Sequence, residues 1–342
     1  MNLIVSELEA VSTYVSREFH YIMSELIGVY GWRHVDTIEL WDEPGPLKAR
    51  LLRRFGELPA VILFWGGYEL LGAHEREINS LESLKCAFAD DLHWWDEQTR
   101  QQKHRGLSMC DIILATYAYA LSDFFPDLAA TKQVAWIPHS ASSDFLLEYN
   151  ENPENAIFLS GALHPLYPLR CQMKSLYDRH TYPIVFHPHP GYRCGYQYDR
   201  DLRVGRGYAV SINKHRVAFT DCLKYRYIVA KYFEIPATGS LLLADCAVSE
   251  HLTRLGFSEG VHYIGVSGEA LEDKIQYVLS ECNRGQVDAI RRRGQELVWE
   301  AHKTSDRARL IHDICAINQG ANSPFRVRQG PASVTGINAQ LL

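Results

Sequence analysis

The hydrophobic pattern divides the chain into two series of short apolar strands that alternate with helices. In the first series, residues 6–29 carry apolar side chains every three or four positions, which predicts a helix. The strands predicted after it are Val35–Leu40, Ala60–Trp65, Cys86–Ala89, Ile112–Ala115 and Val134–Ile137. The polar segment 95–109 predicts a helix between two of them. Strands and helices that alternate at this spacing indicate a parallel sheet covered on both faces.

The same alternation begins again near residue 155. The predicted strands are Ala156–Ser160, Ile184–His187, Val217–Thr220, Ser240–Ala244 and His262–Val266. The predicted helices are Leu169–Arg179, Ile228–Thr238, Ala270–Cys282, Val287–His302 and Ser305–Ile317. The polar, turn-rich residues 148–155 indicate a linker. We therefore predict an N-terminal domain over 1–148, a C-terminal domain over 155–317 whose last helix can pack back on the first, and a loose tail over 318–342.

Composition narrows the range of partners. The chain is 46% hydrophobic and 22% charged, with a formal charge of −6, so no general basic field attracts nucleic acid or an anionic membrane. The longest apolar run, 58–71, is interrupted by Pro59 and Glu69 and is too short to span a bilayer. The first residues do not resemble a signal peptide, and the eight cysteines include no Cys-x-x-Cys pair. We expect a cytoplasmic protein with reduced thiols and without a membrane span.

Two open α/β domains bind ligands at the carboxyl ends of their strands. This arrangement alone is compatible with glycosyltransferases, periplasmic-type binding proteins and many dehydrogenases. The motifs near the predicted strand ends have to distinguish these classes.

The most informative motif is Lys231-Tyr-Phe-Glu-Ile-Pro-Ala-Thr-Gly-Ser-Leu-Leu-Leu-Ala-Asp245. It resembles the donor-site segment of GT-B glycosyltransferases, in the spore-maturation-type branch of the group 1 enzymes. The resemblance implies that Glu234 accepts hydrogen bonds from the donor ribose, since the two oxygens of a carboxylate suit a vicinal diol. It also implies that Lys231 lies beside the nucleotide and that Gly239 ends the helix. The alternative is an ordinary glutamate on a surface helix.

The segment departs from that family at one position. Larger relatives carry a second glutamate ahead of the ribose ligand, but Arg226 stands eight residues before Glu234. The missing glutamate leaves the donor sugar and the stereochemical outcome open. We predict that Arg226 faces the donor diphosphate instead.

Two further segments resemble the same family and add donor-site candidates. Phe158–Arg170 reads as strand, glycine and helix start, which implies that Gly161 lets the backbone approach the ligand. It also implies that Arg170 contacts the diphosphate at the first helical turn, and the alternative is an ordinary surface arginine. In Phe186–Gly191, His187 and His189 are predicted to face the nucleotide. The alternative is a structural turn. A metal site is disfavoured, because His-x-His supplies two ligands and the spacing offers no third.

The N-terminal half offers candidates for the acceptor side. Ala89-Asp-Asp-Leu-His-Trp94 follows a predicted strand and resembles an Asp-x-His segment of the same branch. A carboxylate or imidazole at a strand end can remove the proton of an acceptor hydroxyl, so Asp91 and His93 are the predicted catalytic residues. The alternative is that both are capping residues. Trp136–Ser140 resembles the run that closes the first domain.

The resemblance implies an α/β protein of the GT-B fold, with two Rossmann-like open α/β domains facing across a cleft. The N-terminal domain would bind the acceptor and the C-terminal domain the nucleotide sugar. The expected reaction is metal-independent transfer of a sugar from a nucleotide diphosphate donor, UDP- or GDP-linked, with no cofactor. The acceptor, which could be a glycan, a lipid-linked molecule or a small molecule, is unknown. Two alternatives stay open: a transferase that moves a sialyl or glycerol-phosphate unit, and a non-catalytic protein that binds nucleotide sugars.

Overall fold

Two parallel β-sheets organise the protein, whose computed structural model describes residues 1–94 and 96–319. The chain divides into two compact units. The first contains Met1–Leu8, Ile22–Pro138 and the described chain from Ser305 onward, and the second contains Glu9–Tyr21 and His139–Thr304. Within the described ranges, no helix is long and apolar enough to cross a membrane.

The first unit contains a six-stranded sheet with the order β2-β1-β3-β4-β5-β6. Its strands are β1 (Asn2–Ser6), β2 (Arg33–Asp36), β3 (Val61–Trp65), β4 (Leu84–Ala89), β5 (Ile112–Ala115) and β6 (Gln133–Trp136). All the neighbouring strands run parallel. β3 and β5 are buried at every position, as in parallel sheets whose two faces are both covered.

The second unit contains a five-stranded parallel sheet with the order β11-β10-β9-β7-β8. Its strands are β7 (Glu154–Gly161), β8 (Ile184–Pro188), β9 (His215–Thr220), β10 (Leu241–Asp245) and β11 (Ile264–Val266). β7 lies inside the sheet and pairs with β8 and β9. Its side chains Ile157 and Leu159 are completely buried in the core beneath the helices.

Helices connect and cover the strands. In chain order they are α1 (Leu8–Ser12), α2 (Glu18–Gly28), α3 (Thr37–Asp42), α4 (Leu47–Phe55), α5 (Tyr68–Ala73), α6 (Glu75–Asn79), α7 (Glu97–Ser108), α8 (Leu121–Phe124), α9 (Pro126–Thr131), α10 (Pro168–Asp178), α11 (Gly205–Asn213), α12 (Lys231–Ala237), α13 (Ser249–Arg254), α14 (Leu271–Leu279), α15 (Arg284–Ala301) and α16 (Thr304–Gln319). Short 3-10 helices cover Ala118–Ala120, Ser143–Phe145, Cys246–Val248 and Glu281–Asn283.

The two predicted parallel α/β series are confirmed, with three local differences in the first. β1 was not predicted, because its few apolar residues merge with the helical pattern that follows. The predicted helix over 6–29 is two helices, α1 and α2, with a break between them. The predicted strand Val35–Leu40 ends at Asp36, whose carboxylate accepts a 2.9 Å hydrogen bond from the backbone of Ile38 and caps α3.

The compact units differ from the predicted domain ranges at their edges. Glu9–Tyr21 belongs to the second unit, which takes up the chain again at His139 rather than at residue 155. Of the predicted tail 318–342, the first two residues end α16 and the remainder lies outside the described residues.

Candidate functional site

Glu234 is a buried carboxylate on the short helix α12. The residue is only 6% exposed. Its carboxylate makes no hydrogen bond or ion pair to any side chain or backbone group of residues 1–94 and 96–319. Burial raises the pKa of Glu234 to about 7, although the nearby Lys231 ammonium opposes this shift. Desolvating a carboxylate without a partner is costly, and buried polar groups in native proteins are usually satisfied. Glu234 therefore has unused hydrogen-bonding capacity.

Lys231 begins the same helix, one turn before Glu234. Its Nζ lies 5.6 Å from the ring centroid of Tyr208, and it too has no hydrogen bond or ion pair among the described residues. Burial lowers the pKa of Lys231, Glu234 raises it, and the Arg170 guanidinium lowers it further. A cation with unused donors thus lies beside a carboxylate with unused acceptors.

Tyr208 on α11 was not among the sequence-based candidates. Its hydroxyl lies 2.6 Å from Oγ of Ser160 near the end of β7, and both residues are buried. Burial raises the pKa of the Tyr208 hydroxyl above its ordinary value, and the Glu234 charge adds to this effect. The Tyr208 ring therefore lies next to the Lys231 ammonium.

Arg170 lies on α10, and other groups of the protein bind its side chain. Its Nη2 is 2.8 Å from Oδ1 of Asp221, its backbone N–H donates to Asp221 Oδ2 at 2.9 Å, and its Nη1 donates to the carbonyl of Ala162. Both charged residues are almost completely buried. Sequence reasoning expected a bound anion at the start of α10, and in the structure the anion there is the carboxylate of Asp221.

Gly161 ends β7 with a positive φ of 107°. A Cβ at this position would lie 2.8 Å from Nη1 of Arg170, closer than such atoms approach. The glycine is therefore required by the Arg170–Asp221 ion pair. The predicted approach of a ligand to its backbone stays a prediction.

His189 follows β8, and its local hydrogen bond fixes its tautomer. The backbone N–H of Gly191 donates to Nδ1 at 3.0 Å, so the proton of the neutral imidazole is on Nε2. Burial lowers the pKa of His189 to about 4, and the charges of Lys231 and Arg170 lower it further. At neutral pH the side chain is therefore an uncharged donor beside two cations.

His187 is the fourth residue of β8 and packs against aromatic rings. Its ring centroid lies 5.4 Å from that of Phe158 and 5.8 Å from that of Tyr208. Its Nε2 is buried and has no hydrogen-bond partner in the part of the chain that is described. Burial lowers the pKa of His187, and the Arg203 charge acts in the same direction.

Arg226 is exposed in the loop between β9 and α12, with a left-handed backbone at φ 58°. Its charge lowers the pKa of His251 on α13, an effect that follows burial and Arg254 in size. The predicted contact between Arg226 and the donor diphosphate stays a prediction.

An Asp-x-Asp tripeptide in the loop before α11 was overlooked by the sequence reasoning. Asp201 forms an ion pair with Arg203 at 2.8 Å, and Asp199 lies 3.8 Å from Arg200. Among the described residues there is no group of three or more side chains placed to hold a metal ion. These two carboxylates are engaged by arginines of their own loop.

The acceptor-side candidates lie at the end of β4 in the first unit. The Asp91 carboxylate is 58% exposed, and its Oδ1 is 4.0 Å from Nδ1 of His93, too far for a hydrogen bond. The Asp91 backbone carbonyl accepts a hydrogen bond from the ammonium of Lys103, a residue not predicted from sequence. Burial lowers the pKa of Lys103 to about 8, while the nearby aspartates raise it.

Four residues of the second unit offer complementary groups. Glu234 supplies a hydrogen-bond acceptor, Lys231 and His189 supply donors, and the Tyr208 ring supplies an apolar surface. A carboxylate can bind a diol, and an ammonium with a neutral N–H donor can bind phosphate oxygens. Three of the four residues lie on the two helices α11 and α12, and the fourth follows β8. This combination suits a ligand that carries both hydroxyls and phosphates.

Comparisons with known proteins agree with this description. The model of a family described as glycosyl transferase-like matches residues 185–313, which include all four of these residues. No curated protein sequence matches the chain. A sucrose-phosphate synthase from Thermosynechococcus elongatus has a similar structure, with a TM-score of 0.62, 12% identity and coverage of 94% of this chain and 100% of that one.

Two other similar structures contain bound nucleotides. An α-glucosyltransferase in complex with UDP-glucose and DNA has a TM-score of 0.61 and 10% identity, covering 92% of this chain and 98% of that one. Anabaena HepE in complex with UDP-glucose has a TM-score of 0.58 and 10% identity, covering 93% and 100%. At such low identities the likeness shows a shared fold.

Proposed function

We propose that this protein, a glycosyltransferase of the GT-B fold, transfers a sugar from a nucleotide diphosphate donor to an acceptor hydroxyl. The family match over residues 185–313 confirms the predicted glycosyltransferase class, and the similar structures show the predicted fold. The spore-maturation-type branch stays a prediction. The observation that carries the proposal is the buried Glu234 carboxylate without a hydrogen-bond partner in the described chain, one helical turn from Lys231.

In this proposal Glu234 binds the donor ribose. The two oxygens of its carboxylate accept from the 2′- and 3′-hydroxyls, which supplies partners that the described chain does not provide. Hydrogen bonds to the charged form favour it, so a bound ribose lowers the raised pKa of Glu234. Part of the free energy of ribose binding therefore comes from offsetting the desolvation cost of the buried Glu234 carboxylate.

Lys231 and His189 are assigned to the donor diphosphate. As the sugar leaves, negative charge accumulates on the diphosphate, and donors already aimed at it lower the barrier without reorganisation. Lys231 supplies a charge, and His189 supplies a neutral Nε2–H. Arg170 is assigned to a positioning role, because its guanidinium is held by Asp221 and Ala162.

UDP is proposed as the nucleotide, since similar structures were solved with UDP-glucose. A thermal-shift screen with UDP, GDP, CDP, UDP-glucose and CMP-sialic acid tests this proposal. A nucleotide at 100 times its Kd stabilises the protein by about 2.7 kcal/mol. We expect UDP and UDP-glucose to give the largest shifts. A shift with CMP-sialic acid alone would favour the sialyl alternative, and binding of UDP-glucose without any turnover would favour the non-catalytic one.

We expect turnover to persist in EDTA. The proposal places the stabilisation of the leaving diphosphate on Lys231 and His189, and the Asp-x-Asp carboxylates are engaged by Arg200 and Arg203. Release of UDP from UDP-glucose, measured with and without 5–10 mM chelator (roughly a hundredfold excess over trace metal), should agree within about twofold. Loss of UDP release that Mn²⁺ or Mg²⁺ restores would contradict the metal-free assignment.

A base for the acceptor hydroxyl was predicted at Asp91 or His93. This assignment stays a prediction. It implies that Asp91→Asn or His93→Ala lowers kcat while donor affinity is kept, because a base acts in the transition state. The long separation of the two side chains, 4.0 Å, means that neither orients the other in the structure.

A further inference from the structure

The loop between β8 and α11 is held to the rest of the second unit through two tyrosines. The backbone N–H of Tyr196 donates to the carbonyl of Thr13 at 3.0 Å. The Tyr198 hydroxyl donates to the carbonyl of Tyr14, and the guanidinium carbon of Arg17 lies 3.7 Å from the centroid of the Tyr198 ring. All three partners belong to the segment that the second unit takes from the start of the chain. Contacts to a distant part of the sequence therefore fix this loop in place.

Tyr196 also organises the turn at the start of this loop. The residue is 4% exposed, and its hydroxyl oxygen lies 2.8 Å from the carbonyl oxygen of Pro190 and 2.9 Å from that of Gly191. The hydroxyl donates its one proton to these carbonyls, and its oxygen accepts from Nε of Arg193 at 3.2 Å. The backbone N–H of Gly191 donates in turn to Nδ1 of His189 at 3.0 Å. A continuous path of hydrogen bonds thus runs from Tyr196 through Gly191 to the His189 imidazole.

The pairing of β8 places His189 beside the proposed donor group. β8 pairs with β7 as far as Pro188, so His189 is the first residue past the carboxyl edge of these strands. Alternate residues of a strand lie on one face, and His189 comes two positions after His187. The His187 ring lies 5.8 Å from the Tyr208 ring, and Nζ of Lys231 lies 5.6 Å from that same ring. Burial and then the Lys231 charge lower the pKa of His189, in agreement with this placement.

We infer that Tyr196 is a positioning residue for sugar transfer, whose hydroxyl holds the turn that aims Nε2–H of His189 at the donor diphosphate. The inference rests on the proposed function, which assigns His189 to the diphosphate. A flip of the imidazole would break the bond from the Gly191 N–H to Nδ1, so this bond keeps the Nε2–H donor in one direction. A donor fixed before the substrate binds needs no reorganisation as charge builds up on the leaving diphosphate.

Tyr192 also contacts His189, but its contact is of a different kind. The two ring centroids are 4.5 Å apart with the planes tilted by 44°, and Tyr192 is 61% exposed. A ring contact on the solvent side restrains the direction of an N–H less than hydrogen bonds do, because hydrogen bonds depend steeply on angle. The buried hydroxyl of Tyr196, rather than the exposed ring of Tyr192, is therefore assigned the positioning role.

A double-mutant cycle tests whether Tyr196 acts through His189. The proteins compared are wild type, Tyr196→Phe, His189→Ala, the double variant and the control Tyr277→Phe. The Tyr277 hydroxyl donates a hydrogen bond of the same 2.8 Å length to Gln286, between α14 and α15. Each protein is assayed for UDP release from UDP-glucose, for UDP affinity by calorimetry and for melting temperature. NMR measures the hydrogen exchange of the Gly191 amide, a readout that does not depend on turnover.

We expect His189→Ala to lower kcat about 100-fold and Tyr196→Phe about tenfold, since the second variant keeps the donor but loosens its alignment. The double variant should also lose about 100-fold, because without the imidazole there is no donor left to position. UDP affinity should change less than about threefold in Tyr196→Phe, because Glu234 still binds the ribose. The Gly191 amide should exchange about tenfold faster in Tyr196→Phe, because the turn opens more easily. Tyr277→Phe should match wild type.

Two results would overturn the inference. One is a loss of about 1000-fold in the double variant, which would mean that Tyr196 acts independently of His189. The other is wild-type kcat or wild-type Gly191 exchange in Tyr196→Phe. If Tyr196→Phe does not fold, Arg193→Met removes the exposed donor to the same hydroxyl, and a loss of kcat that persists in the His189→Ala background would refute the inference equally. A wild type that neither binds UDP nor releases it from UDP-glucose would instead refute the proposed function.

Discussion

Replacing Lys231 by methionine is expected to lower kcat for UDP-glucose by roughly 100- to 1000-fold, the usual effect of removing one donor from a developing anion. Methionine keeps most of the apolar stem, so contact with the Tyr208 ring persists while the charge is lost. The effect should fall mainly on kcat, because the charge on the diphosphate increases as the sugar leaves. Rates of UDP release across a range of UDP-glucose concentrations measure both parameters.

Lys274 on α14 offers a matched control for Lys231. It is 38% exposed and its partner is Glu259, so Lys274→Met should leave kcat unchanged. If Lys231→Met and Lys274→Met lowered kcat equally, the loss would reflect a nonspecific effect of charge rather than a contact of Lys231 with the diphosphate. A Lys231→Met variant with wild-type kcat and intact fold would remove Lys231 from the catalytic account.

Replacing Glu234 by alanine is expected to weaken UDP binding at least tenfold. The substitution removes two hydrogen bonds to a charged acceptor, each worth about 1.5–3 kcal/mol, and ~1.4 kcal/mol already changes Kd tenfold. Calorimetric titration with UDP measures the effect. Glu272→Ala on α14, where the side chain is 53% exposed, is the control and should bind UDP like wild type. Unchanged affinity in a folded Glu234→Ala protein would contradict the ribose assignment.

The same carboxylate predicts a pH-dependent effect on the stability of the unliganded protein. The pKa of Glu234 is about 7 in the folded state and near 4.5 in the unfolded chain, so the folded state holds its proton more tightly. The stabilisation from the bound proton is present below pH 4.5 and is lost as the pH rises through 7. Glu234→Gln should therefore raise the free energy of unfolding more at pH 8 than at pH 5, by about 2 kcal/mol. A pH-independent difference between the two proteins would contradict the raised pKa.

Sequence reasoning identified the strands of the second sheet and the helix that carries Glu234 because those signals are local. Apolar runs mark β9 and β10. Gly239, with the positive φ of 82° that a glycine permits, lies just beyond the end of α12 at Ala237. The motif alone did not show whether the Glu234 side chain is buried. The alternative that Glu234 lies on an exposed surface helix is ruled out by its 6% exposure.

The remainder of the site depends on contacts between distant parts of the chain. Arg170, which was predicted to contact the diphosphate, is bound by Asp221, 51 positions away in sequence. Tyr208 lies on a helix whose weak apolar pattern gave no prediction.

Hydrogen–deuterium exchange with and without UDP tests the central claim most directly, because it locates the bound nucleotide without any substitution. The account predicts slower exchange in peptides that cover Ala230–Glu234, His187–Gly191 and the first turns of α11, all in the second unit. Peptides from the edge of the first sheet that contains β2 should be unaffected. Protection confined to other segments, or binding of UDP with no protection around Glu234, would contradict the assignment of this group as the donor site.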